Sequence, residues 1–541
     1  MKKTFARSFA RSCTAALLCC GLSAVPAFSQ EEDAAPAEEA SATGGEMTAQ
    51  EQLEALLKQG QEQFESGDFE AAVGSFSTVV GAFERAGAFA PGPLLLRAKA
   101  FAQLEDYEAA LEDLKKATQY SQSQPQILPE IQSTRGEVYM KVEAYDAALP
   151  DLQAAVAANR SNPQYQFDLG KALVKLGGVE QGEKALTKYL TLLDSLEEMP
   201  EGEELQKAEA LRLRAQAFGA MRKFEEAEAD LAASLEIDAD SYEPYFTRAQ
   251  IALANENYAD ATVNFEQAIA KYVPLKKEDK LPFVQGYLTL ASAYEEQGKA
   301  LGRKGDAEGA AEQYALSAAT CEKLLELLPE KDQRVDNVRV ATMYRLGVAE
   351  RLHGDLADSV KTFSKLLQLD PNQGEAYFRR GICFHFMGEE RLAIRDFEQA
   401  ASINFDSPRS NLWKGMSWAK LGDTNEAIRA YGESIAVSDR YVPAFVNRGL
   451  AHLSQGEYGK AIDDLNEAIR LQPTESLHYY RRGRAQAASG DREKAIQSYM
   501  NAIEFNEKLA PAYNELSHEL DAKGETVLAN QYRTRAAELG L

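Results

Sequence analysis

The chain has 541 residues, 45% hydrophobic and 26% charged, with 59 Lys+Arg against 84 Asp+Glu for a formal net charge of −25. That surplus of acid excludes the phosphate-driven attraction a nucleic-acid binder needs. Periodic stretches rich in Ala and Leu, poor in Pro and without β-branched runs, favour helix throughout.

In chain order, MKKTFARSFARSCTAALLCCGLSAVPAFSQ comes first. Lys2, Lys3, Arg7 and Arg11 precede an apolar segment, and Ala27-Phe28-Ser29 stands before Gln30. This order reads as a secretory signal peptide over residues 1–29, without the paired arginines of the twin-arginine route. Neither Cys19 nor Cys20 follows the small residue that lipidation requires, so no lipid anchor is expected. No later segment has the length and apolarity of a membrane span. Removing the signal leaves a net charge of −29 and two cysteines, Cys321 and Cys383, which make no disulfide framework. Residues 30–47, QEEDAAPAEEASATGGEM, have almost nothing to bury and read as a disordered acidic linker.

Residues 48–337 carry a loose repeat. Gly60, Ala98, Gly136, Gly170, Ala215 and Ala249 are followed, twelve residues on, by Ala72, Ala110, Ala148, Gly182, Ala227 and Ala261. A seventh pair, Ala291 and Ala310, is nineteen apart, read as a turn lengthened by GKALGRK (298–304). Extra residues between copies fall in polar or Pro-containing stretches at 119–130, 197–204 and 274–282.

Residues 338–541 repeat strictly. Gly347, Gly381, Gly415, Gly449, Gly483 and then Ser517 recur every 34 residues. Twelve after each come Ser359, Ala393, Ala427, Ala461, Ala495 and Ala529, and four further on Phe363, Phe397, Tyr431, Leu465, Tyr499 and Arg533. Between them sit Gly354-Asp355, Gly388-Glu389, Gly422-Asp423, Gly456-Glu457, Gly490-Asp491 and Gly524-Glu525. A left-handed Gly ends one helix and an acidic residue meets the start of the next. Small residues on either side of the turn let two antiparallel helices approach, and the aromatic fills the gap between them.

This 34-residue helix–turn–helix resembles the tetratricopeptide repeat (TPR). The Gly stands at position 8 of that family's frame, the turn Gly at 15, the Ala at 20 and the aromatic at 24. The resemblance implies an all-α fold: about thirteen repeats in a right-handed superhelical solenoid of antiparallel helix pairs. The first helix of each pair would line a concave groove through positions 2, 5, 6, 9, 12 and 13. In the regular array those positions supply the candidate peptide site: Tyr344, Arg345, Phe378, Arg379, Ile382, Trp413, Met416, Asn447, Tyr480, Arg481 and Arg484. Arg and Trp are enriched where few contacts carry most of the binding energy. A second arginine set, at position 7 (Arg97, Arg135, Arg214, Arg248, Arg380, Arg448, Arg482), reads as structural.

Two patterns of the family's members are missing. No copy has the position-9 Asn of the chaperone-tail clamp, and only Asn447 fits the Asn ladder of the O-linked N-acetylglucosamine transferase array. Gly415-Met416-Ser417-Trp418-Ala419 resembles a nucleophile elbow but sits in the helical frame. His353, His385, His452, His478 and His518 share no repeat position, so neither catalysis nor a metal or other cofactor is expected. Charge divides unevenly: residues 30–337 hold 29 Lys+Arg against 56 Asp+Glu, and residues 338–541 hold 26 against 28.

The expected protein is a non-enzymatic interaction scaffold of a bacterial envelope, periplasmic or secreted, docking a partner's peptide segment. The alternative is a regulatory or targeting subunit of an envelope enzyme or of a polymer or protein export complex. The polar last copy leaves open whether a partner or a second copy of the chain covers Leu516, Leu520 and Leu528.

Overall fold

The structure, a computed structural model, describes residues 48–196, 198–200, 202–273, 281–330 and 332–540. The expected signal peptide and acidic linker, and most of the 274–282 insertion, lie outside the described residues. The described residues form thirteen consecutive helix pairs and no strand. They divide into two units, ending at Tyr272 and beginning at Val273.

In the first unit the pairs are α1/α2 (Ala49–Ser66, Phe69–Arg85), α3/α4 (Pro91–Gln103, Tyr107–Tyr120), α5/α6 (Leu128–Lys141, Tyr145–Ala158), α7/α8 (Pro163–Lys175, Val179–Asp194), α9/α10 (Glu203–Ala220, Phe224–Ile237) and α11/α12 (Glu243–Ala254, Tyr258–Lys271). In the second they are α13/α14 (Val284–Arg303, Ala307–Leu327), α15/α16 (Asp336–His353, Leu356–Leu369), α17/α18 (Gly374–Met387, Glu390–Ser402), α19/α20 (Ser407–Lys420, Thr424–Val437), α21/α22 (Val442–Ser454, Tyr458–Leu471), α23/α24 (Ser476–Ala488, Arg492–Phe505) and α25/α26 (Ala510–Lys523, Thr526–Glu538).

Each turn is built as its residues dictate. Gly354, Gly388, Gly422, Gly456, Gly490 and Gly524 all have φ between 75° and 113°, the region only Gly enters without strain. The following acid caps the next helix in several copies: Asp423 accepts from the Glu426 N–H at 3.1 Å and Asp491 from that of Lys494 at 3.3 Å. In the first unit Gly67 and Gly177 keep the glycine, but in the other four turns the same slot holds Glu105, Glu143, Arg222 and Glu256 at φ 58–64°. The left-handed turn therefore survives there without its glycine, at a cost of about 1 kcal/mol each.

Position 8 is small because position 24 lies on it. A Cβ added at Gly415 or Gly483 would come within 2.5 Å of Tyr431 or 2.6 Å of Tyr499, and one at Gly381 within 2.8 Å of Phe397. The seventh pair keeps this frame in a way its sequence reading missed. Gly298, not Ala291, faces the aromatic Tyr314, 2.6 Å from where its Cβ would be. The turn, Gly305 at φ 85°, and Ala310 then fall at the usual offsets from Gly298. GKALGR (298–303) is therefore helix rather than an enlarged turn. Both helices of this pair are longer than those of the neighbouring pairs, α13 having 20 residues and α14 having 21. Seven residues are about two helical turns, so Ala291 stays on the packed face.

Within each unit successive first helices touch one another, as α15, α17, α19, α21, α23 and α25 do in series, whereas second helices are spread apart. That asymmetry curves the stack, with the first helices on the inner side. Leu516 and Leu520 are buried inside the chain, packed with Tyr499 and Ala529, and need no second molecule to cover them. Leu528 alone of the three is exposed.

Candidate functional site

Two sets of arginines, one residue apart in the frame, meet different environments. Those at position 7 form clamps. Arg380 grips Asp396, sixteen residues on in its own second helix, with Nε and Nη2 each donating to one carboxylate oxygen at 2.8 Å. Its Nη1 donates to Ser364 Oγ at 2.9 Å, in the second helix of the preceding pair. Arg97–Asp113, Arg135–Asp151 and Arg214–Asp230 repeat the fork, with a Ser or Thr of the preceding second helix as third acceptor. Arg448–Asp464 repeats the fork alone. Where the acid is missing the clamp changes partner: Arg482 donates to Ser498 and Asn466, and Arg248 turns back to Glu228. The fork joins the two helices of a pair in five of the thirteen pairs, and in four of these it also ties the pair to its predecessor.

The other arginines belong to the first-helix wall of the second unit. Tyr344 on α15 donates its hydroxyl to Glu375 Oε1 on α17 at 2.5 Å, and its ring leans on Phe363. Burial, then the Glu375 carboxylate, pushes that hydroxyl up to about 12. Arg379 donates to the same Glu375 oxygen at 3.0 Å, and Arg345 reaches Glu295 on α13 at 3.1 Å. Tyr344, Arg345 and Glu375, with Leu288, Val340 and Asp370, line a cavity of about 450 Å³. This falls in the size range of ligand sites.

The remaining expected residues are distributed otherwise. Phe378 is not a groove anchor: it is 1% exposed, between Phe397 and Phe405, with the Arg409 guanidinium 4.5 Å over its ring. Ile382 is buried in the same cluster. Position 5 is aromatic here because it packs. Trp413 is half-buried, edge-on to His385 and Phe386, and Phe386 is itself 61% exposed. Met416 is half-buried beside Leu412 and Tyr431. Asn447 spends an amide hydrogen on the Pro443 carbonyl at 2.7 Å. Tyr480 leans on Tyr499. Arg481 is half-buried, and burial first, then the like charge of exposed Arg484, pushes its guanidinium below the ordinary value. None of these lines the cavity that Tyr344 and Arg345 share. Glu375 and Arg351, the residues the sequence reading passed over, stand at positions 2 and 12, which the resemblance had already assigned to the groove.

Ser417 of the elbow-like segment is wholly buried within α19. Its Oγ and Glu390 Oε2 both meet the same atom, His385 Nδ1, at 2.8 Å, so the ring cannot relay a proton from one to the other. Among the described residues no group of three or more His, Cys, Asp or Glu could hold a metal, and no helix is long and apolar enough to cross a membrane.

The first-helix wall of the first unit pairs many of its charges within itself. Lys99 pairs with Glu130 at 2.6 Å and Lys171 with Glu209 at 2.8 Å, while Gln164 donates to both oxygens of Asp168. Burial, with the Asp168 charge second, raises Glu137. A second cavity of about 460 Å³ opens where the clamp is displaced, between Phe224, Glu228, Arg248, Ile251, Asn255 and Asn264.

Models of the tetratricopeptide repeat match residues 57–125, 134–197, 341–372, 374–407, 442–475 and 479–509. No curated protein matches the chain. Among solved structures, MamA protein is 26% identical over 32% of this chain and 93% of its own, with a TM-score of 0.30. A chain of the APC/C hetero-tetramer Cut9–Hcn1 is 15% identical over 91% and 94%, at 0.33. A tetratricopeptide repeat protein from Parabacteroides merdae is 18% identical over 46% and 93%, also at 0.33.

Proposed function

We propose that this chain, an all-helical tetratricopeptide-repeat protein with repeats across most of its length, is a non-enzymatic protein–protein interaction scaffold whose second unit docks a peptide segment of a partner. One observation carries this reading: the first-helix wall of residues 273–541 holds a cavity in which aromatic, aliphatic and charged side chains meet, with Tyr344, Glu375 and Arg379 linked across two helices. Trp413, Phe386, Tyr480 and Arg481 extend that wall with amphipathic area. Residues 1–29 would direct the chain out of the cytoplasm, so the partner belongs to a bacterial envelope or its exterior.

The test is capture. Arg379→Glu with Arg481→Glu leaves the melting curve near that of the parent, because neither residue belongs to a clamp, and weakens recovery of the partner from an envelope extract. Undiminished recovery removes the groove reading.

A further inference from the structure

Of the wall guanidiniums without an ion-paired carboxylate among the described residues, those of Arg351, Arg481 and Arg484, only that of Arg351 also has a buried Nε with no acceptor. Arg345 is neutralised by Glu295 and Arg379 by Glu375, but among the described residues no carboxylate lies within ion-pair distance of Arg351. Its Nε is buried without an acceptor, and so is that of Arg379. Arg380, next to Arg379 in sequence, has Nε, Nη1 and Nη2 all bonded. Donors left open are therefore a property of the wall and not of arginines in this fold.

The charged and titratable groups that act most on Arg351 come from three helices: Arg379 and Cys383 from α17, Tyr344 from its own α15 and Tyr314 from α14. None supplies a negative charge at neutral pH. Burial raises both tyrosine hydroxyls and the Cys383 thiol, and Arg379 is a second cation. Glu350, beside Arg351 in the chain, turns away to accept from Thr362 Oγ1 at 3.2 Å. Burial, and after it the Arg379 charge, pushes the Arg351 guanidinium below its ordinary value. A partly buried cation with one enclosed, unsatisfied donor gains from an anionic acceptor.

We propose that Arg351, with Arg379, is the residue that selects what docks on this wall, taking the side-chain carboxylate of one Asp or Glu in the partner's segment. Arg345 has no part in it, because it is paired with Glu295 and, unlike Arg379, has no buried donor left open. The proposal rests on the peptide-docking reading and adds its chemical preference: one required acid at a fixed place on the first-helix wall.

The experiment pans random short peptides displayed on phage against the full chain, against Arg351→Gln and against Arg351→Lys. The parent selects sequences sharing an acid at one position, Arg351→Gln does not, and Arg351→Lys recovers part of the preference. For a selected peptide the dissociation constant rises about ten- to a hundredfold on Arg351→Gln, the worth of a charge-assisted hydrogen bond. Amidating the peptide's acid costs a similar factor, and the two losses do not add. Parent-selected peptides without a fixed acid overturn the proposal and leave the docking reading standing. So does an acid whose loss costs the same in parent and variant. Selection of no peptide at all overturns both.

Discussion

At the scale of single residues the fold turns on which glycines are pressed. A Cβ at Gly483 would lie 2.6 Å from the Tyr499 ring, whereas at Gly449 the nearest atoms, of Ala461, Asp464 and Leu465, stand back at 3.3 Å. Gly483→Ala should therefore cost about 1–3 kcal/mol through overpacking and Gly449→Ala clearly less. Equal shifts in melting would refute the packing account. Glu350 gives a pH dependence. Burial pushes its carboxyl up to about 7 from 4.5. The folded chain thus keeps a proton that the unfolded chain loses, and stability falls as pH rises from about 4.5 to about 7. Glu350→Gln should flatten this decline in urea melts near pH 5 and pH 8, and a slope that persists unchanged assigns it elsewhere. The glycine frame was legible in sequence because the close aromatic leaves little room for a side chain, so a small residue recurs. Arg351 was not legible: its meaning lies in the absence of a partner, and absence leaves no residue to read.

At the scale of elements the clamp explains how helix pairs hold their neighbours. Asp396 is almost wholly enclosed and holds two of the three donors of Arg380. Asp396→Ala should destabilise the second unit by about 3–5 kcal/mol, because it strands a buried guanidinium. The double variant Asp396→Ala with Arg380→Met should recover much of that, and a double variant as unstable as the single would show that packing, not charge, is at stake. The arginine half of this device was visible at position 7. Its acid half, sixteen residues on, was masked by the ordinary acidity of a chain with 84 Asp+Glu. The long seventh pair was misjudged for a related reason. A seven-residue addition preserves the helix face, so spacing alone could not separate a grown helix from a grown turn, and only the Gly298–Tyr314 contact does.

At the scale of the whole molecule charge is the unequal property, with residues 30–337 strongly acidic and residues 338–541 near balance. Self-repulsion in the acidic part is screened as the Debye length shrinks from about 10 Å at 0.1 M salt towards 3 Å at 1 M. Amide hydrogen exchange should slow with added salt in helices α1–α12 and change little in α15–α26. A uniform response would mean that the charge imbalance does not act on stability. The number of helix pairs was legible because each leaves a face that the next must cover.

The clamp has a consequence for ancestry. Any stretch of chain holding one such arginine also holds, sixteen residues later, the acid that neutralises it, so a copied unit arrives electrically complete. Duplication or loss of a unit then strands no buried ion, and arrays of this kind can change length in single genetic steps. A unit without that acid, as at Ser498 and Asn264, arrives instead with an arginine that must find another partner.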